Sequence, residues 1–460
     1  MKRINKTLLG LLVFAVSLSV IGCDDEDDTA EAERYSIPIE GKLTVDPELD
    51  RTEDYSGIHV RVLNIFRPET DTLYHAVTDT TGDFSGYAEF EERGEYLLEI
   101  KRGDNELATA DLVLAEGDTI KIESVLPDFD AESAIASREH KAMSELNRLL
   151  NQFSRVSTYI NAGLVDEEEA LDNLHTWNDL FWEHSESYPG TLAADRAILQ
   201  AVGILDGWDN EKMFEQLASD PESEALIEAG IYYGVPSRIR EGGLDEGLAY
   251  IDDLWERSGN PGNRKLLGIH RIEMLYDSAR VDYAKDYFAD FKEEFGEEPD
   301  VQEWLSSIEY DLNNLAPGME APDFRIPLMN GDELTNADLS GSPYILEFVN
   351  YESPDYHFSF PSLSELADRF SDDNLRIISI PTHDSQSTIE GFFSEREKKW
   401  DIASAGVYTD EELIETFNVD QIPVRILVNA DGRIVRKYYE AGIAELEYDL
   451  NRQRHLTEIL

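Results

Sequence analysis

The side chains best suited to catalysis are those of Ser353, Tyr356 and His357, which share one short segment. Asp384 joins them, at the end of the stretch Thr382-His383-Asp384. Serine, histidine and aspartate are the residue types of a hydrolytic triad, in which a base activates a hydroxyl nucleophile. The chain has no G-x-S-x-G sequence, the turn that presents such a serine in many hydrolases. Residue types therefore permit hydrolysis here, but no motif supports it.

Metal chemistry has even less support in the sequence. His140, His175 and His184 lie in helical segments among carboxylates, but no pair has H-x-x-x-H or H-E-x-x-H spacing. Aspartates between Asp71 and Asp83 could be read as calcium ligands, although aspartate and glycine are also ordinary turn formers. We predict turns there, and neither a metal site nor a cofactor.

The overall charge excludes some partners. The chain has 460 residues, with 97 acidic against 39 basic side chains and a formal net charge of -58. Such a surface repels nucleic acid and anionic lipid headgroups, so no nucleic-acid partner is predicted. A cationic partner is compatible with this charge. The acidic, lysine-poor composition also resembles that of proteins adapted to high salt.

The only cysteine, Cys23, lies at the end of an export signal. A basic start is followed by the apolar run Leu8 to Ser19, and Val20-Ile21-Gly22-Cys23 matches a lipobox. We predict a signal peptide over 1-22, acylation of Cys23 and an acidic tether over 23-34; the alternative, a transmembrane anchor, is disfavoured by the short apolar run. Acidic residues after the cysteine resemble the export signal of Bacteroidota surface lipoproteins, which favours an outer-membrane location in the cell envelope.

Two regions precede the segment that contains Ser353, Tyr356 and His357. Over 35-127, short runs of alternating apolar residues separated by turn residues predict antiparallel strands, and they resemble the small β-sandwiches found ahead of thioredoxin-like domains in Bacteroidota lipoproteins. Over 131-315, apolar spacing of three and four predicts helical hairpins, with Pro236 among the residues expected to separate them. No fixed repeat period emerges, so we predict an irregular helical domain and keep a solenoid as the alternative.

Sequence around Ser353 predicts a buried strand, Tyr344 to Val349, then a loop and a helix from Ser362 to Phe370. This order resembles the thioredoxin-like proteins of the TlpA/ResA type and their AhpC/TSA (redoxin) relatives, which read F-W-x-x-W-C-x-x-C-x-x-E-x-P-x-L here. The stretches G-M-E-A-P-D-F from Gly318 and F-N-V-D-Q-I-P-V-R-I-L-V-N-A-D-G-R-I-V from Phe417 resemble other parts of the family pattern. The resemblance implies a thioredoxin-like domain over 317-460 and a multidomain α+β chain.

In this alignment Ser353 and Tyr356 occupy the positions of the two redox cysteines. The family's activity is thiol-disulfide exchange, which needs thiols that a serine and a tyrosine cannot replace. The resemblance also implies a cis proline at Pro423 facing the loop. The predicted peptide groove consists of Ser353, Pro354, Asp355, Tyr356, His357, Ile422 and Pro423.

Protein or peptide binding by a redox-inactive domain is the preferred interpretation. The alternatives are a scaffold without a partner, a family-type thiol-disulfide oxidoreductase or an accessory role in envelope redox homeostasis, an unrecognised enzyme, and a glycan- or nutrient-binding lipoprotein.

Overall fold

The computed structural model describes residues 34-64, 71-382, 384-406, 412-439 and 442-459. Cys23, the signal peptide, most of the acidic tether and His383 lie outside these ranges. The chain divides into two compact units, which meet between Asn263 and Arg264. Within the ranges given, no helix is both long and apolar enough to cross a membrane.

The first unit begins with two four-stranded sheets that share one apolar core. One sheet has the order β4-β1-β7-β8 and the other β3-β2-β5-β6. The strands are β1 (Tyr35–Val45), β2 (Ile58–Leu63), β3 (Thr72–Val77), β4 (Asp83–Phe90), β5 (Gly94–Arg102), β6 (Asn105–Leu114), β7 (Ile120–Leu126) and β8 (Ile135–Ala136). Strands β1 and β7 pair in parallel, so the prediction of antiparallel strands is wrong for this pair. Alternation of side chains defines a strand but not the direction of its neighbour.

Helices follow the two sheets. They are α1 (Ala131–Ala134), α2 (Arg138–Asn161), α3 (Glu167–Ser187), α4 (Leu192–Gly203), α5 (Asn210–Leu217), α6 (Glu224–Ala229), α7 (Val235–Gly242) and α8 (Leu244–Arg257). A π-helical turn, Gly230–Gly234, connects α6 directly to α7. Pro236 therefore does not separate two helices as predicted. It lies at the start of α7, directly after the π-helical turn.

The second unit contains the last helices of the all-helical region and everything after them. Helix α9 (Pro261–Asp277) crosses the boundary between the units, and α10 (Val281–Phe295) and α11 (Gln302–Asn314) follow. The predicted domain boundary near residue 316 separates helices from strands but does not coincide with the boundary between compact units. Helix α11 is tied to the later strands by polar contacts described below.

A five-stranded sheet of order β13-β12-β11-β14-β15 organises the rest of the second unit. Its strands are β11 (Tyr344–Val349), β12 (Arg376–Pro381), β13 (Asp401–Ile402), β14 (Val424–Val428) and β15 (Ile434–Tyr439), after a hairpin of β9 (Arg325–Pro327) and β10 (Glu333–Thr335). The helices are α12 (Asn336–Leu339), α13 (Pro354–Arg369), α14 (Gln386–Phe392), α15 (Glu412–Thr416) and α16 (Ile443–Ile459). Short 3₁₀ turns lie at Pro299–Val301 and Ser371–Asp373.

The central strand β11 is buried along its whole length, because both faces of the sheet are covered. Its side chains alternate between two apolar clusters, one containing Leu346 and Phe348 and the other Ile345 and Val349. The strand has the predicted bounds. Helix α13 begins at Pro354, eight residues before the predicted start, and Pro361 lies inside it.

Candidate functional site

The candidate site lies at the end of β11, where the chain turns into α13. The turn is closed by a hydrogen bond from the Ser353 backbone N–H to the Asn350 carbonyl, at 3.1 Å. The Asn350 side chain also accepts from the Glu352 backbone N–H at 2.8 Å. Pro354 then starts the helix, where its fixed φ suits the first helical position. Strand, loop and helix therefore follow in the order that the sequence predicted.

A buried carboxylate lies beneath this loop. Glu347, on β11, is directly opposite Ser379 on one neighbouring strand and Arg425 on the other. Its Oε1 accepts from Arg425 Nε at 2.9 Å, and its Oε2 accepts from Ser379 Oγ at 2.6 Å. A third donor is the Tyr356 hydroxyl on α13, at 3.1 Å from Oε2. Donors from three elements thus converge on one carboxylate in the core.

This polar cluster, consisting of Glu347, Arg425, Ser379 and Tyr356, is fully buried. Trp400 extends it by donating from Nε1 to Ser379 Oγ at 2.7 Å. Burial, and after it the negative charge of Glu347, raise the pKa of the Tyr356 phenol well above its usual value. Tyr356 is therefore a neutral hydrogen-bond donor at any ordinary pH.

The burial of Tyr356 corrects one expectation. The sequence predicted that its side chain contributes to a surface groove, but none of the side chain is accessible to solvent. Its ring packs against Tyr351, Phe360 and Phe392, with centroids 5.2 to 6.1 Å away. The cause is its position in the first turn of α13, on the face that covers the sheet, where Glu347 offers a partner for the hydroxyl.

Tyr351 holds the loop in place through its backbone. Its N–H donates to both carboxylate oxygens of Asp384, at 3.1 and 2.9 Å. Its carbonyl lies 2.8 Å from Nε2 of His357, whose ring also packs against Phe392. His357 and Asp384, which the sequence suggested as partners of Ser353, each bond to the backbone of Tyr351 instead.

No hydrolytic triad is assembled by these residues. Among the described residues no imidazole is hydrogen-bonded to Ser353 Oγ, as the activation of a serine nucleophile requires. The three histidines considered as metal ligands have separate surroundings: His140 bonds to the Ala131 carbonyl, His175 to Asp209, and His184 packs on Tyr188. No group of three or more potential ligating side chains occurs among the described residues.

The second side of the candidate site is the segment before β14. The Ile422-Pro423 peptide bond is cis, as the family resemblance implies. Pairing between β11 and β14 ends at Phe348 and Val424, so Gln421 and Ile422 lie beyond the last paired residue. Pro423 is buried, Ile422 is half-buried and Gln421 is exposed.

Helix α11 holds the chain that leads into this proline. The Asn418 side chain donates to Asp311 at 2.7 Å and to the Ser307 carbonyl at 3.0 Å. Buried Lys437, on β15, donates to the Asn418 carbonyl at 2.5 Å and to Asp311 at 3.2 Å. The sequence did not predict these contacts, since α11 is more than a hundred residues from Asn418 and Lys437 and shares no motif with them.

The accessible part of the loop differs from the predicted groove. Pro354, Asp355 and His357 are exposed and Ser353 is half-buried. The most exposed aromatic side chain of α13 is Phe358, with 83% of its surface accessible. Phe358 was not predicted as a site residue. The sequence did hold a signal for it, because a residue two positions after Tyr356 on a helix points away from the face that buries Tyr356.

Comparison with known proteins supports the same fold. A family model described as thioredoxin-like matches residues 341–434. The thiol-disulfide oxidoreductase ResA of Bacillus cereus (strain ZK / E33L) is 23% identical over 127 residues, which are 28% of this chain and 72% of that protein. The ResA of Bacillus subtilis (strain 168) is 20% identical over 123 residues, or 27% of this chain and 67% of that protein.

Solved structures of similar proteins include the thioredoxin domain of a thiol-disulfide oxidoreductase from Bacteroides vulgatus. It is 20% identical, with a TM-score of 0.28, and the match covers 30% of this chain and 97% of that one. A thiol-disulfide oxidoreductase from Bacteroides fragilis is 16% identical, with a TM-score of 0.26, over 28% of this chain and 98% of that one. The family match and the ResA relatives identify the C-terminal part of this chain as a thioredoxin-like domain of the TlpA/ResA type.

Proposed function

We propose that this chain is an envelope-anchored lipoprotein whose thioredoxin-like domain has no redox activity and binds a protein or peptide partner. One observation carries the proposal: the domain contains no cysteine, yet the loop that aligns with the family's redox loop keeps exposed side chains. The relatives named as thiol-disulfide oxidoreductases support the assignment of the fold. The activity in their names does not transfer to this chain.

Loss of redox chemistry follows from the residue types at the loop. Disulfide exchange starts when a thiolate attacks a disulfide sulfur, and a second thiol then resolves the mixed disulfide. Ser353 offers an alcohol, which ionises far too weakly to attack, and the Tyr356 phenol is neutral and buried against Glu347. Purified protein should therefore have no insulin-reducing activity above a buffer blank. Activity that persists after removal of contaminating thioredoxins would contradict the proposal.

Binding requires only the surface that surrounds the loop. Gln421 and Ile422 form a bend just before β14, beyond its last residue paired with β11, and we propose that an extended peptide adds main-chain hydrogen bonds there. Exposed Phe358 offers an apolar contact, and aromatic residues are enriched among those that dominate interface energy. Glu352 and Asp355 are exposed beside it, and the net charge of -58 disfavours acidic partners. We therefore propose a partner segment that carries basic and apolar side chains.

Site-specific photocrosslinking in cells tests this face. A benzophenone amino acid in place of Phe358 should give a defined crosslinked product. The matched control is Tyr448, an aromatic on α16 with 69% exposure, which should not give that product. Asp355→Lys should reduce crosslinking at position 358 without changing the melting temperature. Equal products at both positions, or none at either, would favour the alternative of a scaffold without a partner at this face.

The proposed anchor has its own test, because Cys23 is the only cysteine. Acylation would attach two or three chains, and each buried methylene contributes about 0.8 kcal/mol of membrane affinity. Cys23→Ser should leave the protein unprocessed or release it from membranes into the soluble fraction. A variant that matures normally and stays with the outer membrane would refute lipidation.

A further inference from the structure

Two histidine side chains meet on the outer face of the sheet of order β3-β2-β5-β6. His59 lies on β2 and His75 on β3, and Nδ1 of His59 is 3.0 Å from Nε2 of His75. The two ring planes are 9° apart, and the ring centroids are 5.3 Å apart. Because the nitrogens are much closer together than the centroids, the rings meet edge to edge through these two nitrogens. One of the nitrogens donates its proton in a hydrogen bond, and the other accepts it.

Strand pairing brings the two histidines together. His59 is opposite Val77 and Arg61 is opposite His75, so the histidines are diagonal neighbours across β2 and β3. Val60, the residue between His59 and Arg61, is buried in the apolar core, so the side chains on either side of it face outward. His75 is exposed and His59 is half-buried. Both imidazoles are therefore accessible from solvent, although sixteen residues separate them in the sequence.

Two cationic side chains flank the histidines, and a carboxylate on β5 holds both of them. Arg61 donates from Nε to Glu99 at 2.7 Å, and Lys101 forms an ion pair with the same carboxylate. Burial raises the pKa of Glu99, but hydrogen bonds from Lys101 and Arg61 outweigh it and lower the pKa. Glu99 therefore stays ionised and offsets part of the repulsion that a metal ion would meet from these cations. The net charge of -58 further favours the approach of cations to the chain.

Two imidazole nitrogens that face each other can act as a pair of metal ligands. A neutral imidazole binds transition metal ions through the lone pair of one ring nitrogen. When the shared proton moves to the far nitrogen of its own ring, Nε2 of His59 or Nδ1 of His75, both facing nitrogens have a free lone pair. Nitrogens 3.0 Å apart can reach one ion through bonds of about 2.0–2.1 Å, once the rings tilt so that their lone pairs converge.

We propose that His59 and His75 form a binding site for a divalent transition metal ion, with His59 Nδ1 and His75 Nε2 as the protein ligands and water in the remaining positions. Affinity at nitrogen ligands follows the Irving–Williams order, so copper(II) should bind more tightly than nickel or zinc. Calcium and magnesium prefer oxygen ligands and should not bind. Two ligands are fewer than the four of a closed structural site, so the ion is exchangeable. The site belongs to the first unit and does not depend on the proposed function of the thioredoxin-like domain.

Calorimetric titration of copper(II) into the full chain tests the proposal. The chain carries Cys23→Ser and no affinity tag, so neither a thiol nor added histidines compete, and excess glycine keeps copper off isolated carboxylates. One copper ion should bind per chain. Binding should weaken by at least about tenfold from about pH 7.5 to about pH 5, because ligating imidazoles must be neutral. No binding at the higher pH, or equal binding at both, would overturn the proposal.

Pulsed EPR of the copper complex, prepared without glycine, identifies the ligands. It detects the far nitrogen of each imidazole bound to copper, so the spectrum should show two imidazoles per ion. A spectrum without bound imidazole would show that carboxylates hold the copper and would also overturn the proposal.

Variants then locate the binding. His59→Gln and His75→Gln should each weaken copper binding by more than about tenfold, the smallest loss usual even for residues that only support a metal ligand. The double variant should show no copper-bound imidazole. His175→Gln is the matched control, since this histidine of α3 is half-buried and bonded to Asp209, and it should bind copper as the parent chain does. His75 is exposed, so the melting temperature of His75→Gln without metal should be unchanged. Undiminished copper affinity in the double variant would overturn the proposal.

Discussion

At the scale of single residues, the thioredoxin-like domain depends on how Glu347 is satisfied. A buried carboxylate is costly unless it is paired and hydrogen-bonded. Glu347 has Arg425, Ser379 and Tyr356 as donors, so its burial is compensated on three sides. Tyr356 thus fills a cysteine position with a side chain that completes the polar cluster. The polar cluster therefore packs this position of the domain without a thiol.

This view makes a prediction about removing the ion pair. Arg425→Met should destabilise the second unit by about 3–5 kcal/mol, because it leaves Glu347 buried without a counter-charge. The double variant Glu347→Leu/Arg425→Met should recover much of that loss, since no charge is left buried. Urea unfolding of wild type, both single variants and the double variant measures the coupling. Additive effects of the two substitutions would show that the charges do not depend on each other.

The sequence predicted the position of the site better than the direction of its side chains. Family spacing located Ser353 and Tyr356 in a loop ahead of a helix, whereas the helix α13 already begins at Pro354 and includes Tyr356. The spacing could not show that Tyr356 points inward and Phe358 outward, because that depends on how α13 rotates over the sheet. The contact of Tyr356 with Glu347 fixes this rotation, and it becomes visible only when strand and helix are packed.

At the scale of elements, helix termini decide how the all-helical part is connected. Glu224 begins α6, and its carboxylate accepts from the backbone N–H groups of Gly259 and Asn260, at 2.6 and 2.9 Å. Ser258 and Asn263 also donate to it, both at 2.8 Å. One side chain therefore holds the start of α6 to the loop between α8 and α9. Sequence reasoning missed α6 altogether, because its six residues are too few to show a helical period.

The Glu224 contacts predict a pH-dependent contribution to stability. Burial raises the pKa of Glu224, but the hydrogen bonds from Asn263, Ser258, Gly259 and Asn260 outweigh it and lower the pKa below 4.5. A lowered folded-state pKa contributes stability above the unfolded pKa, and this contribution is lost as pH falls through the folded pKa. Glu224→Gln should therefore cost about 1.5–3 kcal/mol at pH 7 and progressively less below about pH 4.5.

Thermal unfolding of wild type and Glu224→Gln between pH 7 and pH 3 measures this difference. Glu222→Gln is the matched control, because Glu222 is exposed and lies two residues earlier. Its melting temperature should follow that of wild type at every pH. A constant difference between wild type and Glu224→Gln across the range would contradict the assignment.

At the scale of the whole molecule, the net charge of -58 comes from 97 acidic residues against 39 basic ones. Like charges repel in the compact state, and salt reduces this repulsion by shortening the Debye length from about 10 Å at 0.1 M to about 3 Å at 1 M. The melting temperature of the chain should therefore rise between about 0.1 and 1 M NaCl. KCl should act equally, since screening does not depend on the identity of the cation. A flat or falling melting temperature would show that repulsion is not a significant destabilising term.

The contacts of α11 within the second unit predict where the stable thioredoxin-like domain begins. A boundary drawn from the sequence begins the thioredoxin-like domain at residue 317, but Lys437 on β15 is buried with Asp311 as its partner on α11. Tyr310 also donates to the Thr416 carbonyl at 3.1 Å, and Leu315 belongs to the core on one face of the sheet. We therefore expect a fragment of residues 264–460 to melt at least about 5 °C above a fragment of residues 317–460.

A substitution at Lys437 distinguishes this specific contact from a general effect of length. In the longer fragment, Lys437→Met leaves Asp311 buried without its charge partner and should cost about 3–5 kcal/mol. In the shorter fragment Asp311 is absent, so the same substitution should change stability by much less. Chemical unfolding of the four proteins gives the comparison directly. If Lys437→Met has equal effects in both fragments, α11 does not stabilise the strands through this pair, and the shorter fragment is the complete domain.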